Sequence, residues 1–192
     1  MEPKRIIIGI SGASGAIYGI ELLKALREAG GETHLVISKN GQITIAYETE
    51  YSVVEVQKLA DHWYSNNDLA AAISSGSFKT AGMIVAPCSM SSLSEIATGR
   101  GSNLLTRAAD VTLKERRRLV ILPRETPLHA VHIKNMLTVT ELGGIICPPV
   151  PAFYARPQSL ADMVAHTVGR TLDLFEIDVK TVKRWQGAAE PL

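Results

Sequence analysis

The chain has 192 residues, 46% of them hydrophobic and 20% charged, with 20 basic against 19 acidic side chains. That balance fits a packed globular core and excludes a disordered chain, and a net charge of +1 leaves no broad electrostatic footprint for nucleic acid. No apolar run reaches the roughly 18 to 20 residues that cross a bilayer, and the first residues lack the apolar core of a secretory signal. Cys88 and Cys147 fit no metal spacing and read as buried free thiols of a reducing compartment, so a cytoplasmic protein is expected.

Arg5 to Ile10 is a β-branched run of the kind covered on both faces of a parallel sheet. A small-residue turn, Ser11 to Ala16, leads into helical spacing over Ile17 to Ala29, and Gly30-Gly31 stops it. Thr33 to Ser38 reads as the next strand, closing a βαβ unit within about 35 residues. Residues 46 to 79 are less legible. Val53 to Ala60 has helical spacing, His62 to Asp68 reads as a polar turn, and such an excursion serves as a lid or an oligomer contact.

Gly82 to Pro87 is a further strand, followed by a serine-rich turn and a helix to Ala97. The alternation continues with a helix over Asn103 to Arg116, a strand over Arg118 to Leu122, a helix over Thr126 to Leu142 and a strand over Gly144 to Cys147. A proline-rich loop, Pro148 to Pro157, precedes a last helix over Ser159 to Phe175. The expected fold is α/β: a doubly wound, mostly parallel sheet in three layers, forming one domain over residues 1–192 with a tail from about 176. Trp185 in that tail is too bulky for solvent and is expected to dock on a neighbour or over a site.

Ligands of open parallel sheets collect beyond the carboxyl ends of the strands. Every polar cluster of this chain follows a predicted strand: Gly12-Ala13-Ser14-Gly15, Ser38-Lys39, Ser89 to Ser92, Arg124-Glu125-Thr126 and Tyr154 to Arg156. Taken singly, each has a plain alternative, a tight βα turn for the glycines and a helix N-cap for the serines. The turn is not Gly-x-Gly-x-x-Gly, and Ser38 stands where an acidic residue would clasp a ribose. A mononucleotide held by hydroxyls and backbone N–H groups fits better.

No Gly-x-Ser-x-Gly elbow points to a catalytic triad. The histidines form no His-x-x-x-His pair and read as core or surface residues rather than metal ligands. Arg107 and Lys114 lie two helical turns apart on one helix face, and Arg170 lies in an apolar stretch beside Val168 and Leu172. An arginine there is either paired or binds an anion, because an unpaired buried charge is too costly.

Taken in order, Gly9 to Ala16, Ile73 to Ser77, Pro87 to Met90, Arg107 to Val111, Leu113 to Glu115, Pro123 to Pro127, Pro151 to Tyr154 and Arg184-Trp185 resemble the UbiX-type flavin prenyltransferases, nearly end to end. The resemblance implies a flavoprotein-like domain that joins the dimethylallyl group of dimethylallyl phosphate to N5 and then C6 of reduced FMN. The prenylated FMN then serves a UbiD-type decarboxylase, in ubiquinone synthesis or phenolic-acid breakdown. It also implies chemistry without metal and a homododecamer with sites at subunit contacts.

By the same resemblance, Gly12, Ala13, Ser14, Ser38, Ser89, Met90, Ser91, Ser92 and Arg124 hold FMN. Arg107, Lys114, Glu125, Tyr154 and Arg170 surround the prenyl phosphate, and Glu48 falls near the reacting edge of the flavin. Glu48, Lys114, Glu125 and Arg170 are the catalytic candidates; Asp110 and Glu115 read as structural. Many members carry Lys-Thr at Ser91-Ser92, a difference confined to one side-chain contact with the flavin phosphate. Two rival functions are a flavin-dependent decarboxylase of aromatic acids or peptidyl cysteine and a noncatalytic flavin carrier. The first helix lacks the histidine of the cysteine decarboxylases, and their Pro-x-Met-Asn-x-x-Met-Trp segment is missing.

Overall fold

A computed structural model of the chain describes residues 3–179 together with 182, 184 and 187. Trp185 lies outside the described residues. The elements in chain order are β1 (Arg5–Ile10), α1 (Ala16–Glu28), β2 (Glu32–Ile37), α2 (Lys39–Glu48), α3 (Val53–Leu59), β3 (His62–Ser65), β4 (Gly82–Cys88), α4 (Met90–Ala97), α5 (Leu104–Lys114), β5 (Arg118–Pro123), α6 (Ala130–Glu141), β6 (Ile145–Ile146) and α7 (Leu160–Asp173). Short 3-10 turns span Ala72–Ser74 and Phe153–Ala155.

The strands form one six-stranded sheet in the order β3-β2-β1-β4-β5-β6, and every neighbouring pair is parallel. Connections run one way from β1 and the other way from β4, so the strand order reverses between them. The two chain paths part there and leave a crevice beyond the strand ends.

Two cores explain the layers. Ile6, Ile8 and Ile10 of β1 point to one face and pack with Leu22, Leu23 and Leu26 of α1 and Val168 and Leu172 of α7. Ile7 points to the other, with Met83 and Val85 of β4, Leu93 of α4 and Leu105 and Ala108 of α5. Alternation along a strand buried on both faces requires apolar residues at every position, which is the continuous pattern of β1 and β4. Thus α1, α2, α3 and α7 cover one face and α4, α5 and α6 the other.

The expected architecture is present, with local differences, among them the helix α2 over Lys39–Glu48, which no expected element covers. His62 to Ser65, read as a polar turn, is the edge strand β3, with Trp63 still 53% exposed. An edge strand has water on one side and covers little core, so its sequence lacks the apolar alternation that marks a strand. The helix expected from Thr126 begins at Ala130 instead. Pro127 disfavours helical backbone at Thr126, and the His129 ring caps the helix, its Nδ1 accepting the Val131 N–H at 3.2 Å.

Candidate active site

The carboxyl ends of the strands are laced together by hydrogen bonds. The Ser38 N–H donates to the Ile10 carbonyl at 2.9 Å, the Ser11 N–H to Pro87 at 3.1 Å, and the Arg124 N–H to Cys88 at 3.1 Å. Ser11 is fully buried; its hydroxyl donates to the Pro87 carbonyl at 3.0 Å and accepts the Ser89 N–H at 2.7 Å. One side chain therefore joins β1 and β4 where the strand order reverses.

Three helices begin at this edge. Ser38 caps α2, accepting the Gly41 N–H at 3.0 Å, and Ser89 caps α4, accepting the Ser92 N–H at 3.2 Å. Each N-terminus leaves backbone N–H groups and the positive end of its dipole toward the crevice. The turn before α1 is as tight as its composition suggests. A Cβ on Gly12 would fall 2.2 Å from Asn40 Cβ, and Gly15 has φ 104°, a left-handed conformation that costs glycine little.

Nothing in the α1 turn itself caps the helix; Glu48, at the end of α2, does. Its Oε2 accepts the Gly15 N–H at 2.7 Å and the Ala16 N–H at 3.3 Å. Next to this contact opens a cavity of about 1140 Å³. Ser14, Gly15, Glu48 and Arg124 lie on its polar side together with Glu21, Glu50 and Glu55, while Ile17, Tyr18, Met163 and Val164 supply an apolar wall from α1 and α7. Burial pushes the Tyr18 phenol up, so it stays protonated.

The structure brings some of the expected residues together and separates others. Gly12, Ala13, Ser14, Ser38, Ser89 to Ser92, Glu48 and Arg124 all lie at the carboxyl edge. Glu125 follows there, exposed, with its Oε1 accepting the Thr126 N–H at 3.0 Å. A single chain thus gives it no buried surroundings. Tyr154 sits on the neighbouring loop, its hydroxyl 3.3 Å from His166 Nε2. Arg170 lies one helical turn beyond Thr167, the last α7 residue on the cavity, and is not within an apolar face. Its side chain is 52% exposed and pairs with Asp173 at 2.5 Å, which makes it the paired arginine of the two alternatives.

Arg107 and Lys114 lie elsewhere. Both belong to α5, on the opposite face of the sheet from α1 and α7. Arg107 pairs with Asp110 at 2.7 Å, and Lys114 pairs with Glu115 beside Gly76. The same corner holds Arg117, which donates to the Gly76 and Phe78 carbonyls just before β5. Lys114 therefore sits at the amino edge of the sheet, separated from Arg124 by the six residues of β5, roughly 20 Å of strand. Asp110 and Glu115 are thus the ion-pair partners of Arg107 and Lys114 within the chain.

The chain matches the family described as Flavoprotein over residues 1–172. It is 58% identical over 183 residues to a probable UbiX-like flavin prenyltransferase of Bacillus subtilis, covering 95% of this chain and 90% of that protein. The crystal structure of AnUbiX (PadA1) in complex with FMN and dimethylallyl pyrophosphate superposes with a TM-score of 0.96 at 50% identity, over 98% of this chain and 100% of that one. The chain belongs to the UbiX-type flavin prenyltransferases. A dodecameric FMN-dependent UbiX-like decarboxylase from Escherichia coli O157:H7 superposes at 0.93 with 50% identity, over 95% and 100% of the two chains.

The residues present fit the flavin mononucleotide of that family. A phosphate suits the N–H groups of a helix start, and the cavity reaches the upper end of the roughly 300–1,000 Å³ typical of ligand sites, with room for a ring system and an apolar substituent. Two contributors escape a reading of polar motifs. Ser11 sits inside the glycine-rich block but reads there as spacing; its place at the end of β1 is the signal. Met163 and Val164 read only as core-facing positions of α7, because their cavity side depends on how α7 crosses α1.

Proposed function

We propose that this UbiX-type prenyltransferase transfers the dimethylallyl group of dimethylallyl phosphate to N5 and then C6 of reduced FMN, in the crevice at the carboxyl edge of its sheet. The observation that carries this reading is the cavity at the strand-order reversal, with helix N-termini, Glu48 and Arg124 on one side and Ile17, Met163 and Val164 on the other. The AnUbiX complex with FMN and dimethylallyl pyrophosphate supports it.

Bound reduced FMN supplies the electron-rich N5 and C6 that are alkylated. The chain supplies binding and charge. The starts of α2 and α4 favour an anionic phosphate, and the hydroxyls of Ser14 and Ser91 are within the same edge. Breaking an allylic C–O bond develops negative charge on the leaving phosphate and positive charge on the allyl group. Arg124 answers the first, and the Glu48 carboxylate, held by the N–H groups of Gly15 and Ala16, answers the second. Glu48 is also placed to accept the proton that ring closure releases. The apolar wall excludes water from the prenyl tail.

Lys114 and Arg107 reach such a site only from a second copy of the chain. An assembly is favoured by the apolar surface left open on and beside α6, where Leu128, Val131, Ile133, Leu137 and Leu142 are all exposed. In it, Lys114 and Arg107 of one copy add cations to the leaving-group side of another, with Tyr154 and Arg170 approaching from the α7 side. The dodecameric relative supports this arrangement. The product passes to a UbiD-type decarboxylase. No helix among the described residues is long and apolar enough to cross a membrane, in keeping with work in the cytoplasm.

The test mixes the pure protein with reduced FMN and dimethylallyl phosphate and weighs the flavin. A gain of one prenyl unit is expected. An unchanged flavin would leave only a carrier, and loss of carbon dioxide from an added aromatic acid, without flavin alkylation, would make it a decarboxylase.

A further inference from the structure

Three metal-ligating side chains converge away from the crevice, and prenyl transfer does not use them. Glu32 and His34 are two apart on β2 and so share one face of the sheet, and His62 of β3 stands directly opposite His34 in the strand register. Glu32 Oε1 lies 3.0 Å from His34 Nε2 and 3.8 Å from His62 Nε2, and all three ligand atoms lie within 4.8 Å of one another. A tetrahedral ion with bonds near 2.1 Å spaces its ligand atoms roughly 3.4 Å apart. The two distances to Glu32 bracket that value. The His62 ring, exposed and stacked on His34 with centroids 4.8 Å apart, must turn to bring its Nε2 onto the ion.

The surroundings hold these groups in ligating form. The second Glu32 oxygen, Oε2, is taken by Arg5 Nε at 2.9 Å, which leaves Oε1 facing both imidazoles. His34 is 2% exposed, with the edge of Phe78 against its ring. Its Nδ1 lies 2.9 Å from the Tyr64 hydroxyl. With the proton on Nδ1 and the Tyr64 oxygen accepting it, the Nε2 lone pair is free for an ion. That is the outer hydrogen bond that orients a ligating histidine.

We propose that Glu32, His34 and His62 bind one divalent transition-metal ion of the zinc class, with water completing its coordination, and that the ion clips the edge strand β3 onto β2. Two imidazoles and one carboxylate suit zinc rather than magnesium or calcium. The ligands sit in the first residues of β2 and β3, at the amino edge of the sheet, and none of them lines the cavity.

The chelator-treated full-length protein, free of flavin, is titrated with Zn²⁺ by calorimetry and with Co²⁺ by visible absorption. One ion per chain is expected, with a Zn²⁺-dependent rise in melting temperature. His62→Ala, on the exposed edge, should weaken binding at least about tenfold and abolish that rise, and Tyr64→Phe should weaken it by roughly tenfold with the ligands intact. His62→Gln repeats the test should the alanine variant fail to fold. Chelation should leave prenyl transfer unchanged. Absence of saturable Zn²⁺ binding, or equal affinity in the wild type and a folded His62 variant, would overturn the proposal.

Discussion

The Glu48 carboxylate occupies the start of α1, with its Oε2 2.7 Å from the Gly15 nitrogen. A side chain from the end of α2 thus caps a helix from another βα unit and faces the cavity at the same time. Its two roles separate by substitution. Glu48→Ala leaves the Gly15 and Ala16 N–H groups without their partner and should cost about 0.5–2 kcal/mol of stability. Glu48→Gln keeps an acceptor and removes the charge. It should melt close to the wild type yet alkylate flavin at least about 100-fold more slowly. Melting curves and single-turnover flavin spectra check both.

Ser11 is the only side chain seen to bond across the reversal point between β1 and β4 among the described residues. Ser11→Ala leaves the Ser89 N–H without that acceptor and should destabilise the fold by about 1–3 kcal/mol in urea unfolding. A loss below about 0.5 kcal/mol would mean that the bridge is dispensable.

Gly12 has no room for a methyl group. Its Cβ would approach Asn40 Cβ to 2.2 Å and the Asn40 carbonyl carbon to 3.1 Å, and backbone atoms cannot swing aside. Gly12→Ala should displace the first turn of α2, cost about 1–3 kcal/mol, and weaken FMN binding in a fluorescence titration.

What the sequence made legible follows from burial. β1, β4 and β5 are apolar almost throughout, and β2 in its second half, because both faces are covered, and each ends in a polar turn that falls where a parallel sheet puts its ligands. β3 was hidden because one of its edges faces solvent. Ser38 and Ser89 meet the plain reading, a helix cap, and do so at the carboxyl edge, where the other reading needs them. Lys114 and Arg107 are site candidates by resemblance and not by position. Their helix returns toward the amino edge before β5, and a linear spacing of seven does not say which end of the sheet it meets.

Acid should weaken the fold through Asp61. Burial raises its pKa, but the Thr33 N–H and hydroxyl, both 2.8 Å from Oδ2, with the charge of Arg27, outweigh that and hold the carboxyl below the ordinary aspartate range. The unfolded chain therefore takes up the proton first. The stabilisation is present above about pH 4 and is lost as the pH falls through the lowered value. The melting-temperature gap between wild type and Asp61→Asn should be constant near neutrality and shrink below about pH 4; a gap that widens in acid would reverse the sign.

Two edges of one sheet can serve one reaction centre only if different copies supply them. The most direct measurement mixes two inactive variants, Glu48→Ala and Lys114→Ala, unfolds and refolds them together at equal amounts, and follows prenylation of FMN. Roughly a quarter of wild-type activity should return, because random assembly rebuilds that share of centres with both residues intact. If the refolded mixture is no more active than either variant alone, Glu48 and Lys114 do not meet across a subunit contact.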